Sequence, residues 1–255
     1  MRLLILGDSL SFPRPQKGQP LAATWPALLK AGRSDLDIWL RATPRSCILD
    51  VLKEFCFFTD SLPEFEVIIV QTGIVDCAPR PYPRWIYKLI ETFLGMPALR
   101  RIERFAHQNL LWLYNRPWVG AQQFRQSIGQ IVRTVHRGNP CTPVLFIPIA
   151  SPSRTIVQNL PGIDRAAADY NEILRTELAR LGSTYSCECL APFTGVDPLQ
   201  VTIEDGHHLS VTGHRLIADA IREGLRSLAP RSVHSPGAVS GTAEESLAGR
   251  AVSAA

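Results

Sequence analysis

The chain has little that would tie it to a membrane, a metal or a nucleic acid. No apolar run approaches the ~20 residues that a membrane-spanning helix needs. The first apolar run, Leu3 to Leu6, follows Met1-Arg2 and ends at Gly7-Asp8. A secretory core segment needs about seven to fifteen apolar residues, so a cytoplasmic location is the expectation. Charge of one sign is also scarce: the net charge is +4 and the pI about 8.8, too mild to imply nucleic acid. Six cysteines are present, but their only close pair is Cys187-Glu188-Cys189, which matches no zinc spacing. A chain of 255 residues buries enough surface to need no disulfide staple, so these cysteines are expected to be reduced and mostly buried. No internal repeat is present. From Pro230 onward the sequence is rich in Ser, Ala, Gly and Pro and lacks periodicity, so residues 230–255 read as a disordered tail.

What remains is an alternation of strands and helices. Arg2–Leu6, Asp37–Ala42, Glu66–Val70, Val144–Ile149 and Tyr185–Leu190 read as strands. The run Val67-Ile68-Ile69-Val70 suits a strand covered on both faces. Helical spacing of apolar residues marks Trp25–Lys30, Ser46–Thr59, Phe124–Arg137, Asp164–Leu181 and Val211–Leu228, the last with Ser210 as its cap. That order predicts an α/β fold: a five-stranded parallel sheet in a three-layer α/β/α sandwich, with the ligand beyond the C-terminal strand ends. The domain is expected to span residues 1–229, with a helical insertion at 79–120.

Two short motifs carry chemistry. Gly7-Asp8-Ser9-Leu10 places a serine in a tight turn at the end of the first strand. A serine hydroxyl is a weak nucleophile and needs a base within hydrogen-bond reach. Asp205-Gly206-His207-His208 lies just before the last helix. Its Asp-x-x-His spacing lets one carboxylate hold the imidazole tautomer while the other ring nitrogen faces the serine. His207 is expected to point elsewhere, and His214 to be structural.

Together, and in this order, the two motifs resemble the SGNH, or GDSL, hydrolase family. The resemblance covers roughly Met1–Leu228 and implies a flavodoxin-like fold. It also implies Ser9 as nucleophile, His208 as general base and then acid, and Asp205 as its support, with no metal and no organic cofactor. The family's oxyanion hole uses the serine N–H, a glycine N–H after the second strand and an asparagine side chain after the third. Here Arg45 stands at the glycine, and its backbone N–H remains a donor. The third block, normally Gly-x-Asn-Asp, reads Gly73-Ile74-Val75-Asp76. Val75 therefore offers no side-chain donor. Gln71, Thr72, Arg45 and Arg80 are the candidates to replace it. Asp8, Gly73, Val75 and Arg80 are the residues expected on the substrate side.

The insertion carries Arg80, Arg84, Lys88, Arg100, Arg101, Arg104 and Arg116 against Glu91 and Glu103. Its apolar residues fit two amphipathic helices broken near Gly95-Met96-Pro97, either completing the core or leaving a basic rim for an anionic substrate. Aromatic and basic residues alternate there, so peripheral membrane contact is a further expectation. The expected activity is cleavage of an O-acyl ester on a small molecule or glycan. Acyl transfer by the same serine, or ligand binding without catalysis, are the alternatives. The sequence gives no sign of oligomeric state.

Overall fold

The computed structural model of the chain describes residues 1–57, 62, 64–110 and 114–228. The tail expected at 230–255 lies outside the described residues, as do Phe58 and Thr59 of the second predicted helix and Leu113 of the insertion.

Five strands form one parallel sheet: β1 (Arg2–Gly7), β2 (Asp37–Ala42), β3 (Val67–Gln71), β4 (Val144–Ile147) and β5 (Cys187–Cys189). Their order is β2-β1-β3-β4-β5, so the chain reverses its direction of progress between β1 and β3. The connecting helices are α1 (Trp25–Lys30), α2 (Ile48–Phe55), α3 (Ile74–Cys77), α4 (Arg84–Asn109), α5 (Ala121–Gly138), α6 (Arg154–Asn159), α7 (Ile163–Gly182), α8 (Pro198–Val201) and α9 (Val211–Leu228). Helices α1 and α9 pack together, and α2, α5 and α7 pack together. The result is the three-layer α/β/α sandwich that the alternation predicts.

The hydrophobic effect accounts for the layering. Leu3–Leu6 of β1, Val67–Val70 of β3 and all of β4 are buried, because helices cover both sheet faces. Full burial of each such side chain is worth about 1.5–3 kcal/mol. The edge strand β2 is largely exposed. Strand β4 stops two residues short of the predicted end. The Asn171 side chain takes over there, accepting from the Ile149 N–H at 2.8 Å and donating to the Ile149 carbonyl at 2.8 Å. That pairing consumes the ladder groups a longer strand would use. Strand β5 is likewise shorter than Tyr185–Leu190. Helix α9 begins as expected, with Ser210 Oγ accepting from the Gly213 N–H at 3.0 Å. Of the six cysteines, only Cys47 and Cys77 are fully buried; Cys56 and Cys141 are exposed.

The insertion is helical and broken where the sequence predicts, since Gly95 has φ 71° inside α4. Its apolar residues divide. Tyr87, Leu99 and Ala106 are buried, whereas Trp85, Leu89, Phe93 and Phe105 are exposed. The apolar residues of the insertion are thus buried only in part. Among the described residues, no helix is long and apolar enough to cross a membrane.

Gly73 opens α3 at the end of β3 with φ 127°, a conformation that L side chains rarely adopt. A Cβ there would sit 2.7 Å from the Ile149 side chain. Gly73→Ala is expected to lower unfolding stability by about 2–4 kcal/mol, from backbone strain plus overpacking. Urea denaturation checks this: a midpoint within error of wild type would mean that the turn relaxes freely.

Candidate active site

Parallel strands bring their C-terminal ends to one edge of the sheet, and the reversal between β1 and β3 opens a crevice there. Ser9 follows β1, Arg45 follows β2, and Gly73–Val75 follow β3. The turn that carries Ser9 is a single 3₁₀ turn, Ser9–Ser11, capped by Asp8, whose Oδ1 accepts from the Leu10 N–H at 2.9 Å. It is tied to the sheet through Gln71. Ser11 Oγ and the Trp25 indole N–H both donate to Gln71 Oε1, each at 2.8 Å. A sharp, twice-anchored turn of this kind leaves the serine side chain at the crevice.

The second motif lies on a closed loop. The Ile203 N–H donates to the His208 carbonyl at 2.8 Å, the Gly206 N–H to Ile203 at 2.8 Å, and the Ser210 N–H to Val201 at 2.7 Å. Gly206 has φ 79°, and a Cβ on it would meet Ser153 Oγ at 2.6 Å. Only glycine lets this loop press against the segment before α6, where the Ser153 N–H donates to the Gly206 carbonyl at 2.9 Å.

The structure brings the three sequence-predicted residues into one line. Ser9 Oγ lies 3.2 Å from His208 Nε2, and His208 Nδ1 lies 2.7 Å from Asp205 Oδ2. Asp205 Oδ1 accepts from the backbone N–H groups of His208 at 2.9 Å and His207 at 3.1 Å. Burial would raise the Asp205 pKa, but the His208 hydrogen bond, the backbone donors and the nearby imidazoles outweigh it. The carboxyl is held well below its usual range. A carboxylate fixed in this way holds the proton on His208 Nδ1 and leaves Nε2 to accept from the serine.

His207 does not point away. Its ring lies 4.0 Å from that of His208, and it lines the same cavity. Burial, with the neighbouring His208, lowers its pKa to about 4, so it is neutral near pH 7. His214 is structural, as expected: its Nδ1 accepts from the Trp25 N–H at 3.2 Å, and burial lowers its pKa to about 4. Asp205, His207 and His208 are close enough together to share a cation. Their donor atoms, however, are turned on one another, with Asp205 Oδ2 spent on His208 Nδ1, which suits a proton relay better than a ligand set.

Ser9 and His208 open into a cavity of about 770 Å³, which Arg45, Val75 and Arg80 also line. Asp8 and Gly73 stand behind this wall rather than on it. Asp8 is fully buried, and Gly73 is packed against Ile149. Two of the suggested replacements for the missing amide are committed elsewhere. Gln71 anchors the serine turn, and Thr72 Oγ1 donates to Asp76 at 3.0 Å. Arg45 has φ 65°, the left-handed conformation that a glycine would take without strain. For a residue with a Cβ this costs about 1–3 kcal/mol. Its side chain offsets the cost by donating to Tyr87 Oη at 2.5 Å and Glu103 at 3.1 Å. Sequence reasoning missed Arg14, Trp118, Ile156, Leu160 and Ile163 on the cavity wall. No motif marks them, because three separate segments bring them together.

No protein-family model matches the chain, and no curated protein matches it at a significant level. Solved structures do match in fold. A lipase/acylhydrolase from Enterococcus faecalis superposes with a TM-score of 0.57 at 12% identity, over 89% of this chain and 96% of that one. TesA gives 0.56 at 14% identity, over 89% and 99%. A Slackia heliotrinireducens protein described as an SGNH hydrolase gives 0.54 at 15% identity, over 88% and 98%. The chain has the fold of the SGNH hydrolases.

Asp8 sits directly before Ser9, with Oδ2 buried and without a partner among the described residues. Burial, only partly offset by the Leu10 N–H and reinforced by Asp76, raises its pKa from 3.8 to about 7. The folded state thus holds a proton that the unfolded state releases near pH 4. Stability from this group is present below that pH and is lost as pH rises through about 7. Asp8→Asn mimics the protonated form. It is expected to melt above wild type at pH 8, with the gap closing toward pH 4–5. A Tm difference that stays constant from pH 5 to 8 would contradict the shift.

Proposed function

We propose that the chain is a serine hydrolase that cleaves an O-acyl ester on a small-molecule or carbohydrate substrate. The observation that carries this reading is the unbroken line Ser9–His208–Asp205 at the mouth of a cavity. Ser9 Oγ attacks the ester carbonyl as His208 Nε2 takes its proton. The tetrahedral intermediate collapses, His208 returns the proton to the leaving alcohol, and the acyl group stays on Ser9. Water then attacks the acyl-enzyme with His208 again as base, releasing the acid and restoring the serine. Asp205 stays ionised throughout and stabilises the imidazolium. The backbone N–H groups of Ser9 and Arg45 receive the oxyanion.

Val75 leaves that hole one side-chain donor short, a loss worth about 3–4 kcal/mol or 10²–10³ in rate. The reading is therefore of a slow hydrolase. A second reading, acyl transfer, is favoured by a second cavity of about 410 Å³ that shares Pro44, Arg45, Glu91 and Trp118 with the first. An acceptor alcohol held there would take the acyl group in place of water.

Fluorophosphonate labelling of wild type, read by mass spectrometry, is expected to modify Ser9 and to vanish in Ser9→Ala; an unlabelled wild type would defeat the reading. Asp205→Asn is expected to cut kcat by about 10⁴ with the fold intact. Val75→Asn is expected to raise kcat for ester hydrolysis at least tenfold, as a restored donor should. No gain would mean that another group already fills that position. Adding an alcohol acceptor to the assay separates the two readings, since transfer yields a new ester and hydrolysis does not.

A further inference from the structure

One charged group in the cavity has no use in the mechanism above. Arg80 lines the cavity that holds Ser9 and His208. Its guanidinium carbon lies over the Trp118 ring, 4.2 Å from the centroid, a cation–π contact that holds the side chain against the wall. Its Nε is shut off from solvent and has no hydrogen-bond partner among the described residues. The Tyr82 hydroxyl is also buried, with no hydrogen-bond partner among the described residues, and lies within electrostatic reach of Arg80. The acid that attracts Arg80 most strongly is Glu103, and that carboxylate is taken by the Arg45 guanidinium at 3.1 Å.

A desolvated cation with an unmet donor is costly to keep unless something pairs with it. A guanidinium held against the wall matches the paired oxygens of a carboxylate or phosphate. Apolar residues on the same wall, Ile74, Val75, Ala78 and Leu160, suit the carbon skeleton of the same molecule. We infer that the cavity selects esters bearing an anionic group, a carboxylate or a phosphate, which seats on Arg80, with Arg45 on the same wall. This rests on the ester-hydrolase reading for the identity of the scissile bond, but the anion site itself is a matter of binding.

The test is therefore made without turnover. The Ser9→Ala protein is titrated with neutral 4-nitrophenyl butanoate, with mono-4-nitrophenyl glutarate and with an acetylated glycerol phosphate, alongside its unphosphorylated counterpart. At least one anionic ester is expected to bind tenfold or more tightly than its neutral partner. Which of the two does so distinguishes a carboxylate on the acyl side from a phosphate on the alcohol side. Adding Arg80→Gln should bring the ratio of affinities to about one, while Arg80→Lys keeps part of it. Equal affinity for charged and neutral partners in the Ser9→Ala protein overturns the inference with no further variant needed. So does a preference that survives Arg80→Gln. Turnover by wild type is scored separately: a missing Ser9-dependent hydrolysis would undo the enzymatic reading and leave the anion preference standing or falling on the titration.

Discussion

The line from Ser9 to His208 depends on how one carboxylate divides its oxygens. Asp205 gives Oδ2 to the His208 ring and Oδ1 to two backbone N–H groups of its own loop. The backbone bonds fix the carboxylate, the carboxylate fixes the imidazole, and the imidazole reaches the serine. None of these partners is held by a long flexible side chain. The loop is closed by its own main chain and pressed against the segment before α6 through Gly206. On the other side, the serine turn is pinned by Gln71 to the centre of the sheet. The two halves of the site thus belong to two rigid bodies that the core holds at a set distance.

The sheet is what makes those bodies rigid, and its signal in the sequence was strong. Strands covered on both faces must be apolar throughout, so Leu3–Leu6 and Val67–Val70 announce themselves. The order of motifs, a serine after the first strand and Asp-x-x-His before the last helix, was equally plain, because each motif is local. Strand ends were less legible. The arrest of β4 depends on Asn171, a residue of α7 more than twenty positions away, which no local pattern reveals. The cavity wall was least legible of all. Arg14, Trp118 and Leu160 come from segments with no common periodicity, and His207 was turned the wrong way in the sequence reading. Adjacent residues on a tight loop need not diverge: with Gly206 at φ 79° the two rings fall side by side.

The departures from the family pattern fall where the fold tolerates them. Arg45 keeps the left-handed backbone that a glycine would adopt, so the path of the loop is preserved at some cost in strain. Val75 is a compact apolar residue on the cavity wall. Both changes alter what the crevice offers a ligand more than they alter the frame around it. The surrounding charges fit that picture, since burial keeps Asp8 and Asp76 above the ordinary carboxylate range while His207 and His214 are held neutral. Three cationic side chains, Arg14, Arg45 and Arg80, stand on the wall with Ser9 and His208.

The side chain of Arg45 has one more consequence. It leaves the loop after β2 and ends on Tyr87 and Glu103, one on each side of the Gly95 break in α4. A single guanidinium thus staples together both halves of the insertion and that loop. The insertion is then tied to the C-terminal edge of the sheet rather than hung from it. Trimming it, or straightening the helix at Gly95, would slacken the strained residue that shapes one wall of the cavity.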